Sequence, residues 1–216
     1  MNNLAVIYQK LGRFDNALLL FLKVFETREK ILSKDHIKTL VSMNNLATIY
    51  QSIGKFAKAL PLFKKVYILR KKKLGEKNPS TLISLHNLAN TYREMRNFQE
   101  AQPLFEKSLV LHKEVFGEPH PDTLNTMNDL VKLYQAKNSK NYLDKALLLA
   151  QKSYTLCLEK LPYEHYYTFE ALENLAIIYA KQSETNKAIS FLGRFVNRVE
   201  AFRNRGDLSA QPPRYL

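Results

Sequence analysis

Asn45-Leu46-Ala47-Thr48-Ile49-Tyr50-Gln51-Ser52-Ile53-Gly54-Lys55-Phe56-Ala57-Lys58-Ala59-Leu60-Pro61-Leu62-Phe63 decides the fold, because its skeleton is written along the chain five times. It stands first as Asn3-Leu4-Ala5 with Tyr8, Gly12, Phe14, Ala17 and Phe21, and again as Asn87-Leu88-Ala89 with Tyr92, Phe98, Ala101 and Phe105. Looser copies follow: Asp129-Leu130-Val131 with Tyr134, Ala146 and Ala150, then Asn174-Leu175-Ala176 with Tyr179, Ala188 and Leu192. The anchor leucines at 4, 46, 88, 130 and 175 give spacings of 42, 42, 42 and 45 residues. A fixed period of this length marks a stacked array, in which each unit must bury its apolar face against its neighbours.

The third copy shows what one unit is. Asn78-Pro79-Ser80-Thr81 is a helix start, with Asn at the cap and Pro at the first helical position, where its missing N–H costs nothing. His120-Pro121-Asp122-Thr123 repeats the device. Leu82, Leu85, Leu88, Ala89 and Tyr92 then follow at spacings of three and four, painting one face of a helix. Arg96-Asn97 breaks the pattern where the first two copies carry Gly12 and Gly54. A second helix starts near Phe98 and runs to Phe116, where Gly117 (Gly75 one copy earlier) is the residue type that ends helices. Pro61 and Pro103 lie about one turn into their helices, where few backbone bonds are lost. The expected fold is all-α: a right-handed solenoid of about five antiparallel helix pairs over 1–205, with repeats near 1–34, 35–76, 77–118, 119–162 and 163–205. An extended tail over 206–216 carries Pro212-Pro213. Three extra residues between Tyr134 and Ala146, around Asn138-Ser139-Lys140-Asn141, are expected to lengthen that turn.

Composition bounds the function. One cysteine, Cys157, excludes a disulfide framework and fits a reducing compartment; it falls on an apolar helix face, where it reads as buried and inert. No segment reads as a signal peptide or a membrane span, which predicts a soluble, cytoplasmic chain. The formal charge of +13 is uneven: Lys55 to Lys73 holds eight basic residues and no acid. Lys64, Lys65, Arg70, Lys71, Lys72 and Lys73 are therefore a candidate basic docking face, set against the plainer reading of a solvated outer helix. His36, His120 and His165 sit a whole repeat apart at one linker position, filled by Asn78 in the remaining copy, so they read as helix caps rather than metal ligands. No phosphate loop, metal-ligand pair or Ser/His/Asp set appears, so neither a cofactor nor catalysis is expected. Tyr8, Tyr50, Tyr92, Tyr134 and Tyr179 share the core phase, which argues against a base-stacking platform and against nucleic acid as the main partner.

The small residue after Leu, Tyr three on, Gly at the turn and Phe, Ala and Phe on the second helix resemble the tetratricopeptide repeat. The 42-residue period, Asn44-Asn45-Leu46-Ala47 and the linker Gly117 to Thr123 are similar to the long-repeat subclass typified by kinesin light chains. That resemblance implies that first helices line a concave surface and that the protein is a non-catalytic scaffold. With Leu, Ala and Tyr taken by the core, the residues left for that surface are Asn3, Asn44, Asn45, Thr48, Gln51, His86, Asn87, Asn90, Arg93, Asn128, Lys132 and Asn174. Asparagine offers donors and an acceptor together, so a row of them can pair with an extended peptide backbone. The other reading is that these amides bond neighbouring helices across the stack. Arg93 and Lys132 would favour an acidic peptide, while Glu170 and Glu173 make the far end more acidic. The resemblance also bears on a carboxylate clamp, which needs Lys and Arg where this chain has Asn2, Val6, Asn44 and His86. Only Met1, Asn2 and Asn3 precede the first anchor leucine, which is expected to mean that a partner, a preceding repeat or the true start is missing; self-association through incomplete terminal repeats is one further expectation. The alternatives are a nucleic-acid or anionic-surface binder acting through the basic face, and a regulatory segment of a larger enzyme. For the latter, Arg205 to Ser209 resembles the junction before caspase-like peptidase domains.

Overall fold

The computed structural model describes residues 1–162 and 165–204, the side chains of 202 and 204 excepted; the expected extended tail over 206–216 lies outside them. Ten α-helices account for the regular structure of the described residues: α1 (Asn2–Lys10), α2 (Phe14–Leu32), α3 (Ile37–Ser52), α4 (Phe56–Leu74), α5 (Pro79–Glu94), α6 (Phe98–Phe116), α7 (Pro121–Lys137), α8 (Lys140–Lys160), α9 (Tyr166–Lys181) and α10 (Thr185–Asn204). They fall into two compact units, Met1–Leu111 and His112 onward, divided within α6.

In the first unit α1 packs on α2, α2 on α3, α3 on α4 and α4 on α5. Small residues permit the close crossings: Ala5, Ala17, Ala47, Ala59, Ala89 and Ala101 are all fully buried. Phe21 shows how one repeat closes on the next, since it shares a cluster with Ala5 and Ala17 of its own repeat and Leu46 and Ile49 of the following one. A polar strut spans each junction as well. The Arg28 guanidinium donates to the Lys38 carbonyl at 3.0 Å and the Ser42 hydroxyl at 2.7 Å. Arg70 repeats it one period later with the Ser80 carbonyl and the Ser84 hydroxyl, both at 2.8 Å. In the second unit α7 packs on α8 and α9, α8 on α9, and α9 on α10.

The three extra residues do not lengthen the turn. Residues 53–55 separate α3 from α4, whereas only 138 and 139 separate α7 from α8. The insertion is absorbed as helix: α7 has 17 residues against 16 in α3, α5 and α9, and α8 has 21 against 19 in α2, α4 and α6. Added helical residues gain a backbone hydrogen bond each, which a longer loop would not supply.

Gly75 and Gly117 follow α4 and α6 at φ near +86° and +85°. Ser33 stands after α2 at φ 80° and ψ 161°, a region almost exclusive to glycine. Ser33→Gly is therefore expected to raise stability by about 1–2 kcal/mol, read as a higher midpoint in urea unfolding with an unchanged slope. No gain would mean that the Ser33 hydroxyl, 2.9 Å from the Asp35 carboxylate, offsets the backbone strain.

Candidate functional site

The first helices hold their start by one repeated device. The side chains of His36, Asn78, His120 and His165 accept from the backbone N–H of Lys38, Ser80, Asp122 and Tyr167 at 3.1, 2.9, 3.2 and 3.3 Å. These histidines cap separate helices, as their spacing implies. The bond requires a neutral Nδ1, and burial lowers the pKa of His165 in the folded protein. The unfolded chain then binds the extra proton more readily, so this contribution is complete above the ordinary histidine pKa near 6.5 and declines as pH falls through it. His165→Asn, the residue that position 78 already uses, is expected to flatten the loss of melting temperature between about pH 7 and pH 5. An unchanged slope would place that pH dependence elsewhere.

Within the first unit the amide residues form cross-repeat rungs. Asn45 Nδ2 donates to Asn2 Oδ1 at 3.2 Å, and one repeat on Asn87 Nδ2 donates to Asn44 Oδ1 at 3.4 Å. Each rung uses one half of each amide. Asn44 Nδ2, Asn87 Oδ1 and Asn45 Oδ1 make no hydrogen bond among the described residues, nor do the buried Gln51 Nε2 and Asn90 Oδ1. The Thr48 hydroxyl donates back to the Asn44 carbonyl at 3.0 Å. His86 meets the Phe105 ring edge-on at 5.6 Å between centroids, and Arg93 lies 6.0 Å from the same ring. Asn3 is exposed.

In the second unit the wall differs. Asn128 is wholly buried, not groove-lining: its Nδ2 donates to Glu170 Oε2 at 2.8 Å and its Oδ1 accepts from Ser153 at 2.9 Å. Asn174 is buried too, with its carbonyl taking a bond from Gln135 at 3.0 Å and its Nδ2 without a partner. Asn174 lacks the acceptor its register predicts because Glu170 has pulled Asn128 away. Lys132 ion-pairs with the buried Glu170, and Arg93 in the first unit pairs with Glu94 at 2.8 Å. The two cations expected to make an acid-seeking middle are thus each matched by a carboxylate. Burial raises the pKa of Glu173, which has no hydrogen bond or ion pair among the described residues.

Most of the basic face is engaged within the chain. Arg70 is 5% exposed and is the strut described above, so it cannot dock a partner. Lys71 and Lys107 flank Glu76 at 2.8 and 2.6 Å and hold its carboxyl down to about 2. Lys73 pairs with Asp35 at 2.7 Å, and Lys64 lies over the Tyr92 ring at 5.2 Å. Lys65 and Lys72 remain, exposed and seven residues apart on α4. Cys157 is buried, and burial lifts its thiol pKa to about 11, so it holds its proton at neutral pH.

The tetratricopeptide repeat family matches residues 1–72, 51–109 and 80–159. The chain is a tetratricopeptide repeat protein. Crystal structures of putative kinesin light chain nearly identical TPR-like repeats from Podosopora anserina are similar to it. One, a point variant of those repeats, is 25% identical and covers 94% of each chain at a TM-score of 0.81; another is 27% identical and covers 96% of this chain and 95% of that one at 0.77. BtubC (BKLC) from P. vanneervenii, 18% identical over 99% of this chain and 82% of its own, shares the fold at 0.78. No curated protein matches significantly. The all-α solenoid of kinesin-light-chain-like tetratricopeptide repeats is thereby established, a fold typical of protein–protein interaction scaffolds. Among the described residues no helix is long and apolar enough to cross a membrane.

Proposed function

We propose that this tetratricopeptide repeat protein is a non-catalytic scaffold that holds an extended segment of a partner protein against the first helices of its Met1–Leu111 unit. The observation that carries this reading is the half-used amide. In each rung one half of a side chain is fixed by a neighbouring repeat, which sets the orientation of the other half. A peptide backbone presents N–H and C=O groups, and a fixed amide can meet either without losing further rotamer freedom. Each such bond nets about 0.5–1.5 kcal/mol, so affinity needs several in parallel.

Acidity of the bound segment rests on the net charge of +13 rather than on Arg93 or Lys132, since both of those are paired. Long-range attraction of this kind speeds encounter and is screened by salt. The expected signature is an association rate that falls with ionic strength while dissociation stays nearly constant.

Panning a displayed library of linear peptides against the folded chain supplies a ligand, which is then titrated against Asn45→Ala/Asn87→Ala. Binding is expected to weaken by about tenfold or more, which is 1.4 kcal/mol. The two rungs are long and half-exposed, so their loss is expected to cost the fold only about 1–3 kcal/mol together. A large fall in melting temperature with intact binding would make these amides struts only.

A further inference from the structure

We propose that the outer faces of α1 and α10 are the two halves of one repeat junction, and that copies of this chain stack head to tail by placing α1 of one copy on α10 of the next. Within the chain, the first helix of every later repeat buries the same three positions: Met43, Leu46 and Ile49 in α3, and Leu172, Leu175 and Ile178 in α9. Their equivalents on α1 are bare. Leu4 is 45% exposed where Leu46 is 3%, and Met1 and Ile7 lie open beside it, with Leu11 continuing the stripe. The second helices show the reciprocal pattern. Phe21, Phe63, Phe105 and Ala150 are buried, whereas Leu192 at the same register of α10 is 49% exposed, flanked by exposed Ile189 and Val196.

The first unit displays how these two surfaces fit. Phe21 of one second helix shares a cluster with Leu46 and Ile49 of the following first helix. By that register Leu192 of one copy meets Leu4 and Ile7 of another. A polar match accompanies the apolar one. In the chain the amide just before an anchor leucine donates to the residue two before the preceding anchor, as in Asn45 to Asn2 and Asn87 to Asn44. Carried across the contact, the rule pairs Asn3 with Glu173 of the second copy. Asn3 is exposed, and neither side chain has a hydrogen bond among the described residues. A carboxylate acceptor there makes a charge-assisted bond. The contact is heterologous, so a head-to-tail dimer keeps one free face of each kind and assembly continues beyond it. It rests on repeat register alone, so its failure leaves the peptide reading standing.

Sedimentation velocity of the full chain across a concentration series tests it. The parent is expected to form species larger than a dimer of the 25.1 kDa chain as concentration rises. Leu4→Asp and Leu192→Asp, both at exposed positions, are each expected to be monomeric with unchanged circular dichroism. Mixed, they are expected to form a 1:1 heterodimer that grows no further, because one keeps an intact α10 face and the other an intact α1 face. Ile7→Asp with Val196→Asp repeats the design should either first variant misfold. Asn3→Asp, which sets carboxylate against carboxylate, is expected to weaken association about tenfold, or 1.4 kcal/mol. A parent that stays monomeric overturns the proposal and leaves the faces to a different partner or to the chain's own terminal residues. So does assembly by Leu192→Asp, which would indicate an α1-to-α1 contact, or a mixture of the two variants that remains monomeric.

Discussion

Phe63→Ala is expected to lower stability by about 3–5 kcal/mol, because a wholly buried ring leaves a cavity that close-packed helices fill only in part. For a chain of this size that corresponds to a fall of about 6–20 °C in melting temperature. Phe63 occupies the register of Phe21, which packs against the following repeat. The damage is therefore at a junction, and junctions are what couple a solenoid. Melting followed by circular dichroism is expected to broaden as well as shift. Phe63→Leu keeps most of the volume and is expected to cost far less. A loss below about 1 kcal/mol for the alanine variant would mean that α3 and α4 collapse into the gap, and that junction packing contributes less than cavity energetics imply.

The second large effect is electrostatic. Glu170 holds together the inner part of the second unit, accepting from the buried Asn128 amide at 2.8 Å and pairing with Lys132. Glu170→Ala strands both donors. Lys132 is a third exposed and can recover some hydration, but the Asn128 amide is fully enclosed. Losing a hydrogen bond to a charged acceptor while leaving a buried donor unpaired is expected to cost about 3 kcal/mol, or some 6–12 °C. The double variant Glu170→Leu/Asn128→Leu removes the buried amide along with its acceptor, though the Ser153 hydroxyl and Lys132 each lose a partner, and is expected to recover part of that loss. If Glu170→Ala melted like the parent, the site would admit water freely and the network would be incidental.

The repeat is legible in the sequence because it depends on phase. Leucine, alanine and tyrosine recur at fixed offsets, and helix caps at His36, Asn78, His120 and His165 mark each start, so helices and their core faces follow from sequence. Arg70 is harder to place because a run of lysines hides the one cation whose register points inward. Its match with Arg28, 42 residues earlier, is the available signal. Asn128 escapes for a different reason: it shares the phase of Asn44, but a residue on another helix, Glu170, draws it into the interior. Partners that lie on different helices are invisible to a periodicity. The same holds for the rungs, where sequence shows aligned asparagines but cannot decide between a neighbour and a visitor. In the first unit each amide of a rung gives one half to its neighbour, and the other half is what the proposed binding wall would use.

The most direct test follows the side-chain amides themselves. With asparagine side chains isotopically labelled, NMR spectra are recorded while a peptide selected from the library is added to the folded chain. Shifts centred on the amide groups of Asn44, Asn45, Asn87 and Asn90 are the expected result. Shifts confined to α4 around Lys65 and Lys72, with those four amides unmoved, would contradict a binding wall on the first helices.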